Sequence, residues 1–227
     1  MRCYRRVLDH GYVELLDTMG DEAEVARAAR ISYGNTEDRA WEADAKLISY
    51  LQRNGHTSPF EMVEIKWRVK CPIFVARQWL RHRTANVNEF SMRYAEPSKL
   101  SNEGDVEYYT PKFWREQSKS NKQGGEIELD GETAGWVNVS YLESMEYAIS
   151  GYWDMRKQGV SLELARIVLP VSVYTEFVWK NDLHNTLHFL KLRTDEHAQW
   201  EIRQYANAMV GILKEKMPRL MKEVWGD

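Results

Sequence analysis

The sequence predicts an α+β fold in which one antiparallel sheet packs against helices. Two segments alternate between apolar and polar residues, and several longer segments carry apolar residues at helical spacing. The chain has 227 residues, about the length of one domain, and shows neither an internal repeat nor an obvious linker. We therefore predict a single domain over residues 1–227 with a polar insertion near residues 117–135.

The first 60 residues are predicted to form a strand followed by helices. Residues 21–31 begin with acidic residues and continue with small apolar residues at helical spacing. In residues 38–53, four apolar residues recur at i, i+4, i+7 and i+10, which places them on one helix face. These residues are Trp41, Ala45, Ile48 and Leu51. Gly55 follows as the predicted stop.

Residues 63–70 have the alternation of a half-buried antiparallel strand. One predicted face consists of Val63, Ile65, Trp67 and Val69, and the opposite face of Glu64, Lys66, Arg68 and Lys70. A helix is predicted in the segment 71–83, opened by Pro72 at a position where a missing N–H costs little. Its apolar stripe is Ile73, Ala76 and Leu80, beside a polar face of Arg77, Gln78 and Arg81.

The chain is polar from Glu96 to about Trp136, and its most polar part is predicted to be an insertion or a mobile flap. Helices follow near 141–157 and at 161–168. A second strand over 171–179 is predicted from the alternation of Val171, Val173, Thr175, Phe177 and Trp179 with polar residues. A short helix over 182–192 has Asp182 as its predicted N-cap, and a long helix covers 195–216 and ends before Pro218.

Composition argues against several classes of protein. The formal net charge is -3, whereas a general nucleic-acid binder is usually basic. No apolar run approaches the roughly 20 residues that span a bilayer, and the first residues lack the apolar core of a signal peptide. Cys3 and Cys71 are too few for a disulfide framework. We therefore expect a cytoplasmic protein that binds neither a membrane nor nucleic acid.

The densest chemical signal lies in residues 81–94, where three Arg, a His, a Glu, a Ser and a Tyr follow a helix. Arg suits the recognition of phosphate and carboxylate, so this segment indicates a local anion site. From charge alone, a solvated basic helix end with surface ion pairs is favoured over an anion site. Ser91 lacks the elbow motif of a serine nucleophile, and an anion-binding hydroxyl is the simpler role.

Three further segments allow two interpretations each. Residues 55–61 are either an ordinary turn leading into a strand or a site for a phosphate or ring edge. His184 and His188 are four residues apart and His197 follows, so a metal hydrolase is possible, but the Glu of the zincin pattern is missing. Polar histidines on a helix face that meets a ligand or an interface are the favoured interpretation. Cys71 precedes a helix without a readable base nearby, which favours a packing role over a nucleophile. Arg-rich turns with Trp and Tyr also leave open a single-strand nucleic-acid module.

Taken together, these segments resemble the flavin-dependent thymidylate synthases. The signature of that family is Arg-His-Arg, seven residues and then Ser, and it stands here as Arg81, His82, Arg83 and Ser91. The resemblance extends in the same order through GHTSPFE, CPIFVARQWLRHR, NEFSMRY, ELARIVLPVSVYTEFVWK and HFLKLRTDEHAQWEIRQYA. It covers most of residues 5–217.

The resemblance implies an α+β enzyme that makes dTMP from dUMP, with methylenetetrahydrofolate as carbon donor. It implies FAD as the hydride carrier and NADPH as its reductant. It also implies a homotetramer in which more than one subunit builds each active site. No metal is implied.

The resemblance also implies site residues. The dUMP contacts carried over are Gln78, Trp79, Leu80, Arg81, Glu89, Phe90, Ser91, Met92, Arg93, Arg166 and Arg193, with Gln78 and Arg81 contributed by a neighbouring subunit. The FAD contacts carried over are His56, Ser58, Arg81, His82, Arg83, Glu89, Asp182, Leu183, His184 and His188. Arg193 matches the Arg that activates the pyrimidine and is the predicted catalytic residue. The chain departs from the pattern at Met92, where Gly is common, and at Asp182–His184 and His188, which vary among members.

Overall fold

The structure is a computed structural model that describes residues 3–35, 37–119, 124–125 and 127–226. Within these residues five strands form one sheet in the order β1-β2-β3-β5-β4, and every neighbouring pair is antiparallel. The strands are β1 (Cys3–Val7), β2 (Gly11–Met19), β3 (Glu64–Pro72), β4 (Asn86–Glu89) and β5 (Tyr174–Asp182). The α-helices are α1 (Glu24–Ile31), α2 (Trp41–Arg53), α3 (Ile73–Trp79), α4 (Gly131–Lys157), α5 (Leu162–Ala165), α6 (Leu183–Arg193), α7 (Trp200–Lys216) and α8 (Pro218–Val224). The predicted α+β class is confirmed.

One face of the sheet forms the main core. Ile65, Trp67 and Val69 of β3 are fully buried there, as the alternation predicts. Residues of α6 and α7 cover them, so the core lies between the sheet and these helices. The opposite face is more polar, although Lys70 is buried on it, contrary to the half-buried pattern. The Lys70 ammonium lies in an ion pair with Glu107 and donates to the Leu100 carbonyl at 2.7 Å, which offsets its loss of water.

The single N-terminal strand predicted from the sequence is in fact a hairpin of β1 and β2. The turn between them, residues 8–10, includes Leu8 with a φ of 59°, which is uncommon for a residue that is not glycine. Leu-Asp-His is not one of the glycine-rich sequences that signal a tight hairpin, so the turn was missed. The first residue of β2 is Gly11, and only glycine fits there because a Cβ would lie 1.9 Å from the Tyr205 hydroxyl.

The helix α3 is shorter than predicted and buries a different face. It ends at Trp79, and its fully enclosed residues are Val75, Ala76 and Trp79, while Ile73 and Leu80 are only partly buried. The predicted stripe is therefore only partly right: Ala76 is enclosed, and Ile73 packs against a smaller apolar cluster that contains Met92, Val106 and Val173. The large ring of Trp79 decides the orientation because it packs among Phe177, Trp179, Phe189 and Tyr205. β4 follows and was not predicted, since its four exposed residues carry no apolar pattern.

The other element boundaries differ from the predictions by a few residues or more. β5 begins at Tyr174 rather than 171, and Val171 is exposed. α4 begins at Gly131, ten residues early, because the Asp130 carboxylate accepts from the N–H groups of Glu132 and Thr133. The last residues of the predicted insertion are thus helical, while residues 120–123 and 126 lie outside the described residues. Whether 117–135 is an insertion in the domain stays a prediction.

The C-terminal helices follow their capping signals. The Asp182 side chain accepts from the Asn185 N–H at 2.7 Å, which confirms Asp182 as the N-cap of α6. α7 begins at Trp200, five residues later than predicted, and ends at Lys216 as expected. The chain then continues as α8, with Pro218 in its first turn.

The helices α1 and α2 are joined by a buried ion pair between Arg30 and Asp44. Both side chains are almost fully enclosed, and among the described residues the Arg30 Nη1 has no hydrogen-bond partner. The pair lies at one edge of the core, beside the buried Ile48 and Leu51. Removing one partner would leave an uncompensated charge in a site from which water is excluded.

We expect Asp44→Ala to lower the free energy of unfolding by about 3–5 kcal/mol, because Arg30 would be left buried without its counter-ion. Urea titration followed by tryptophan fluorescence measures this difference. Asp154→Ala, which breaks the exposed Asp154–Lys157 pair, should have little effect and serves as the control. Apolar replacement of both Arg30 and Asp44 should recover much of the loss. An Asp44→Ala protein as stable as the parent would contradict the assignment.

Candidate active site

The Arg-His-Arg segment lines a cavity of about 590 Å³. Arg81, His82 and Arg83 form one wall in the turn that follows α3. The end of β5 contributes Trp179 and Asn181, and α6 contributes Asn185, His188, Leu192 and Arg193. Two distant parts of the sequence therefore meet here, because α3 and α6 both follow strands that are paired in the sheet.

A second cavity of about 560 Å³ adjoins the first, since His188 lines both. Its wall includes His56 and Thr57 from the segment before β3, and His184 and Lys191 from α6. Ser58 starts the short 3-10 helix that follows Thr57. The residues that the sequence assigned to FAD are thus gathered largely around these two neighbouring cavities.

The side chains of His82 and Arg193 are joined across the first cavity. The Arg193 Nε donates a hydrogen bond to the His82 Nε2, with the two nitrogens 3.1 Å apart. Burial, and then the positive charge of Arg193, lower the pKa of His82 to about 4, so His82 is neutral at pH 7. Burial also lowers the pKa of Arg193, but an Arg side chain remains protonated.

This cavity has a cationic wall. Arg81 and Arg83 are exposed beside His82, and within the described parts of the chain neither forms an ion pair with a carboxylate. Arg193 is likewise bonded to a neutral ring and not to an acid. Three guanidinium groups around one cavity make it suited to an anionic ligand.

The floor of the cavity contains two buried donors that sequence reasoning missed. The Trp179 Nε1 and the Asn181 Nδ2 are enclosed, and neither has a hydrogen-bond partner in the part of the chain that the structure describes. The Asn181 Oδ1 accepts from the Thr186 hydroxyl at 3.0 Å, which holds the amide in place. The available signal was the register: Trp179 and Asn181 share the buried face of β5, and a polar residue on that face is unusual.

Several predicted site residues lie inside the core. Trp79 and Leu183 are fully buried, so within one chain their side chains are covered by protein. Trp79 packs on Phe189, with ring centroids 4.5 Å apart. Leu80 is partly buried, and Asp182 serves as the cap of α6. Their roles as ligand contacts stay predictions.

The remaining residues assigned to dUMP lie away from the first cavity. The Gln78 amide bonds to Gln199, and the Arg166 Nε donates to the Glu163 carbonyl at 3.4 Å. The Thr175 hydroxyl donates to the Glu89 carboxylate at 2.7 Å, and Phe90 lines another cavity, of about 810 Å³.

The segment after Phe90 forms a turn. Ser91 lies in it, its carbonyl accepting from Tyr94 N at 2.9 Å. Met92 is buried, whereas Arg93 is exposed with its guanidinium carbon 5.1 Å from the centre of the Tyr94 ring. Of the predicted dUMP contacts, only Arg81 and Arg193 therefore line the first cavity.

The alternative chemistries find less support. Cys71 is fully buried, and burial raises the pKa of its thiol, which argues against a thiolate nucleophile. His197 lines a different cavity from His184 and His188. Among the residues described, no cluster of three His, Cys, Asp or Glu is arranged to hold a metal ion. The helices in this part of the chain include none that is both long and apolar enough to cross a membrane.

Comparison with known proteins gives a consistent set of relatives. A family model described as thymidylate synthase complementing protein matches residues 14–219. A flavin-dependent thymidylate synthase of Thermus thermophilus is 51% identical over 213 residues, covering 93% of this chain and 74% of that protein. The protein of the same description from Wolbachia pipientis wMel is 49% identical over 215 residues, covering 94% and 73%.

Similar solved structures include crystal structures of a UMP/dUMP methylase, PolB, from Streptomyces cacaoi. The form bound with 5-Br UMP has a TM-score of 0.81 and is 30% identical, covering 95% of this chain and 93% of that chain. The form bound with 5-Br dUMP has a TM-score of 0.81 and is 31% identical, covering 96% of each.

We expect the neutral His82 to make stability depend on pH. Its pKa is about 4 in the folded chain and near 6.5 when unfolded, so only the unfolded state takes up this proton between those values. The contribution is therefore fully present above pH 6.5 and is lost as the pH falls towards 4. Chemical denaturation at several pH values should give a shallower slope in this range for His82→Leu than for the parent. Equal slopes would contradict a depressed pKa.

Proposed function

The chain belongs to the thymidylate synthase complementing protein family, whose members include the flavin-dependent thymidylate synthases. On that premise we propose that its two adjoining cavities form the part of the active site that binds FAD and the pyrimidine. The enzyme methylates dUMP to dTMP, with FAD as cofactor and methylenetetrahydrofolate and NADPH as co-substrates. The observation that carries the assignment to this site is the Arg193–His82 pair on a cationic wall.

The residues around the cavities fit FAD by their chemistry. Arg81 and Arg83 offer cationic forks to a pyrophosphate, and no acid in the described chain neutralises them. The unpartnered Trp179 Nε1 and Asn181 Nδ2 offer buried donors to the carbonyl oxygens or ring nitrogens of a flat heterocycle. The second cavity adds His56, His184 and His188. When bound, FAD supplies the hydride that completes the new methyl group, and NADPH is its reductant.

Arg193 is the residue to which we assign activation of the pyrimidine. Forming a carbon–carbon bond at the uracil ring requires electron density at one ring carbon. A guanidinium that hydrogen-bonds to the ring stabilises the negative charge that develops there. Arg193 is suited to this because its charge is not neutralised by an acid in the described chain, and burial strengthens its interaction with an anion. Cys71 is enclosed and its thiol pKa is raised, which favours a mechanism without a covalent cysteine adduct.

We assign the rest of the dUMP site to more than one subunit of a homotetramer. Gln78, Arg93 and Arg166 do not line the cavity of their own chain, so a site that uses them must bring them from elsewhere. The surface around Arg166 is also apolar, because Leu164, Ile167, Val168 and Val171 are exposed there. The helix α4 likewise exposes several large apolar side chains. Exposed apolar surface of this kind is typical of subunit interfaces. In this site Ser91, Arg93 and Arg166 would hold the dUMP phosphate.

We also propose a cytoplasmic location for the enzyme, because the chain has only two cysteines.

Arg193 should be separable from the phosphate-binding Arg residues by kinetics. We expect Arg193→Ala to slow single-turnover dTMP formation by about 100- to 1000-fold at saturating dUMP and folate, with NADPH oxidation less affected. Arg166→Ala, the matched control, should mainly weaken dUMP binding because it holds the phosphate equally in the ground and transition states. An Arg193→Ala enzyme that keeps near-parent rates once dUMP is saturating would move the activating role elsewhere.

Shared active sites should allow inactive variants to complement one another. We expect mixed tetramers of Arg193→Ala and Gln78→Ala chains to regain activity, because some sites would combine an intact Arg193 with an intact Gln78 from the neighbour. Mixing Arg193→Ala with Arg83→Ala should restore nothing, since Arg193 and Arg83 line the same cavity of one chain. Light scattering measures the assembly. A fully active monomer would contradict this arrangement.

A further inference from the structure

We propose that His82 is a positioning residue that orients Arg193 while leaving its positive charge unneutralised. The hydrogen bond between the Arg193 Nε and the His82 Nε2 occupies one of the five guanidinium N–H groups. The four N–H groups on Nη1 and Nη2 remain for a ligand in the cavity that both residues line. The proposal rests on the proposed function only in taking Arg193 as the group that meets the pyrimidine.

The chemistry of the pair requires a neutral imidazole. The His82 Nε2 accepts from a protonated guanidinium, so its lone pair must be free and the ring proton must be on Nδ1. The charged and titratable groups around the ring favour that state. Arg193 and His188 face it from α6, and Arg81 and Arg83 flank it in the turn after α3. No carboxylate of the described chain pairs with the ring to attract a second proton.

The ring is held in place by the aromatic core. Its centroid lies 4.9 Å from that of Phe189 in an edge-to-face arrangement, and 5.9 Å from that of His188. Phe189 is fully buried and packs on Trp79 in turn. The backbone of His82 is also fixed, since its N–H donates to the Trp79 carbonyl at 3.0 Å. A ring fixed on these sides defines where the Nε2 acceptor lies.

A neutral partner serves this Arg better than a carboxylate. Arg193 is the last residue of α6, and ordering a free Arg side chain costs rotamer entropy. A carboxylate would order it too, but its negative charge would cancel the field that an anionic transition state needs. An imidazole acceptor orders the guanidinium and leaves its charge available to the substrate.

The test is a double-mutant cycle at positions 82 and 193. His82→Leu removes the acceptor, and we expect single-turnover dTMP formation to fall about 10- to 100-fold, with little change in the dUMP dissociation constant measured by calorimetry. His82→Gln keeps a side-chain acceptor and should recover most of the rate. In an Arg193→Lys background, which lacks the Nε–H, His82→Leu should add little further loss.

Three results would overturn the proposal. One is an equal loss from His82→Leu in both backgrounds. Another is a Gln variant as slow as the Leu variant. The third is a His82→Leu protein that fails to bind FAD while its dUMP dissociation constant is normal, which would assign the ring to the cofactor instead.

A second measurement needs no substitution at His82. In wild-type enzyme labelled with ¹⁵N-histidine, the His82 ring should remain the Nδ1–H tautomer from about pH 5 to 8, because its pKa is about 4. The Nε2 resonance should shift when Arg193 is changed to Lys. A His82 ring that titrates near its ordinary value of 6.5, or that does not respond to the change at 193, would refute the pair. This signal does not depend on turnover, so failure of the proposed reaction would be recognised separately by the absence of dTMP from the wild-type enzyme.

Discussion

The central constraint in this structure is that the Arg193 guanidinium must be held in place without a neighbouring acid that neutralises its charge. Arg193 reaches a partly enclosed cavity and bonds to a neutral ring, with no acid beside it in the described chain. Holding that ring depends on Phe189, and Phe189 depends on Trp79 and Trp179, with which its ring is in contact. The fully buried Trp79 therefore supports the site through packing. The His82 ring connects the aromatic core with the cationic cavity, because it packs on Phe189 and accepts a hydrogen bond from Arg193.

The placement of charge follows from the same constraint. The whole chain has a net charge of -3, yet Arg81, Arg83 and Arg193 meet around one cavity without acidic partners in the described residues. Elsewhere the most deeply buried charges are paired, as in the Lys70–Glu107, Arg115–Glu201 and Arg30–Asp44 pairs. Mutual repulsion among the cavity residues lowers stability, and an anionic ligand would relieve it.

The sequence predicted the fold best where one physical signal dominated. The alternation in β3 placed Ile65, Trp67 and Val69 in the core correctly, and the Asp182 carboxylate caps α6 as expected. The failures come from interactions that are distant in sequence. Lys70 is buried because Glu107 lies beside it. The helix α3 buries a different face from the predicted one because the Trp79 ring packs against four aromatic residues. The Arg-His-Arg signature predicted the wall of the cavity, but Asn181 was missed because its importance depends on having no partner, which only a three-dimensional arrangement reveals. Contacts that require a second subunit stay beyond a single chain.

The fit of Tyr205 against Gly11 limits how this family branch can diverge. The hydroxyl lies where a side chain on residue 11 would begin, and it donates to the Lys70 carbonyl at 2.9 Å. Shortening the tyrosine would not admit another residue, because the carbonyl oxygens of Val7 and Lys70 lie 2.7 and 2.9 Å from the same position. Descendants that keep this hairpin against α7 must therefore inherit glycine at position 11 whatever happens to position 205. A library randomised at both positions should therefore yield folded proteins with varied residues at position 205 but only glycine at position 11.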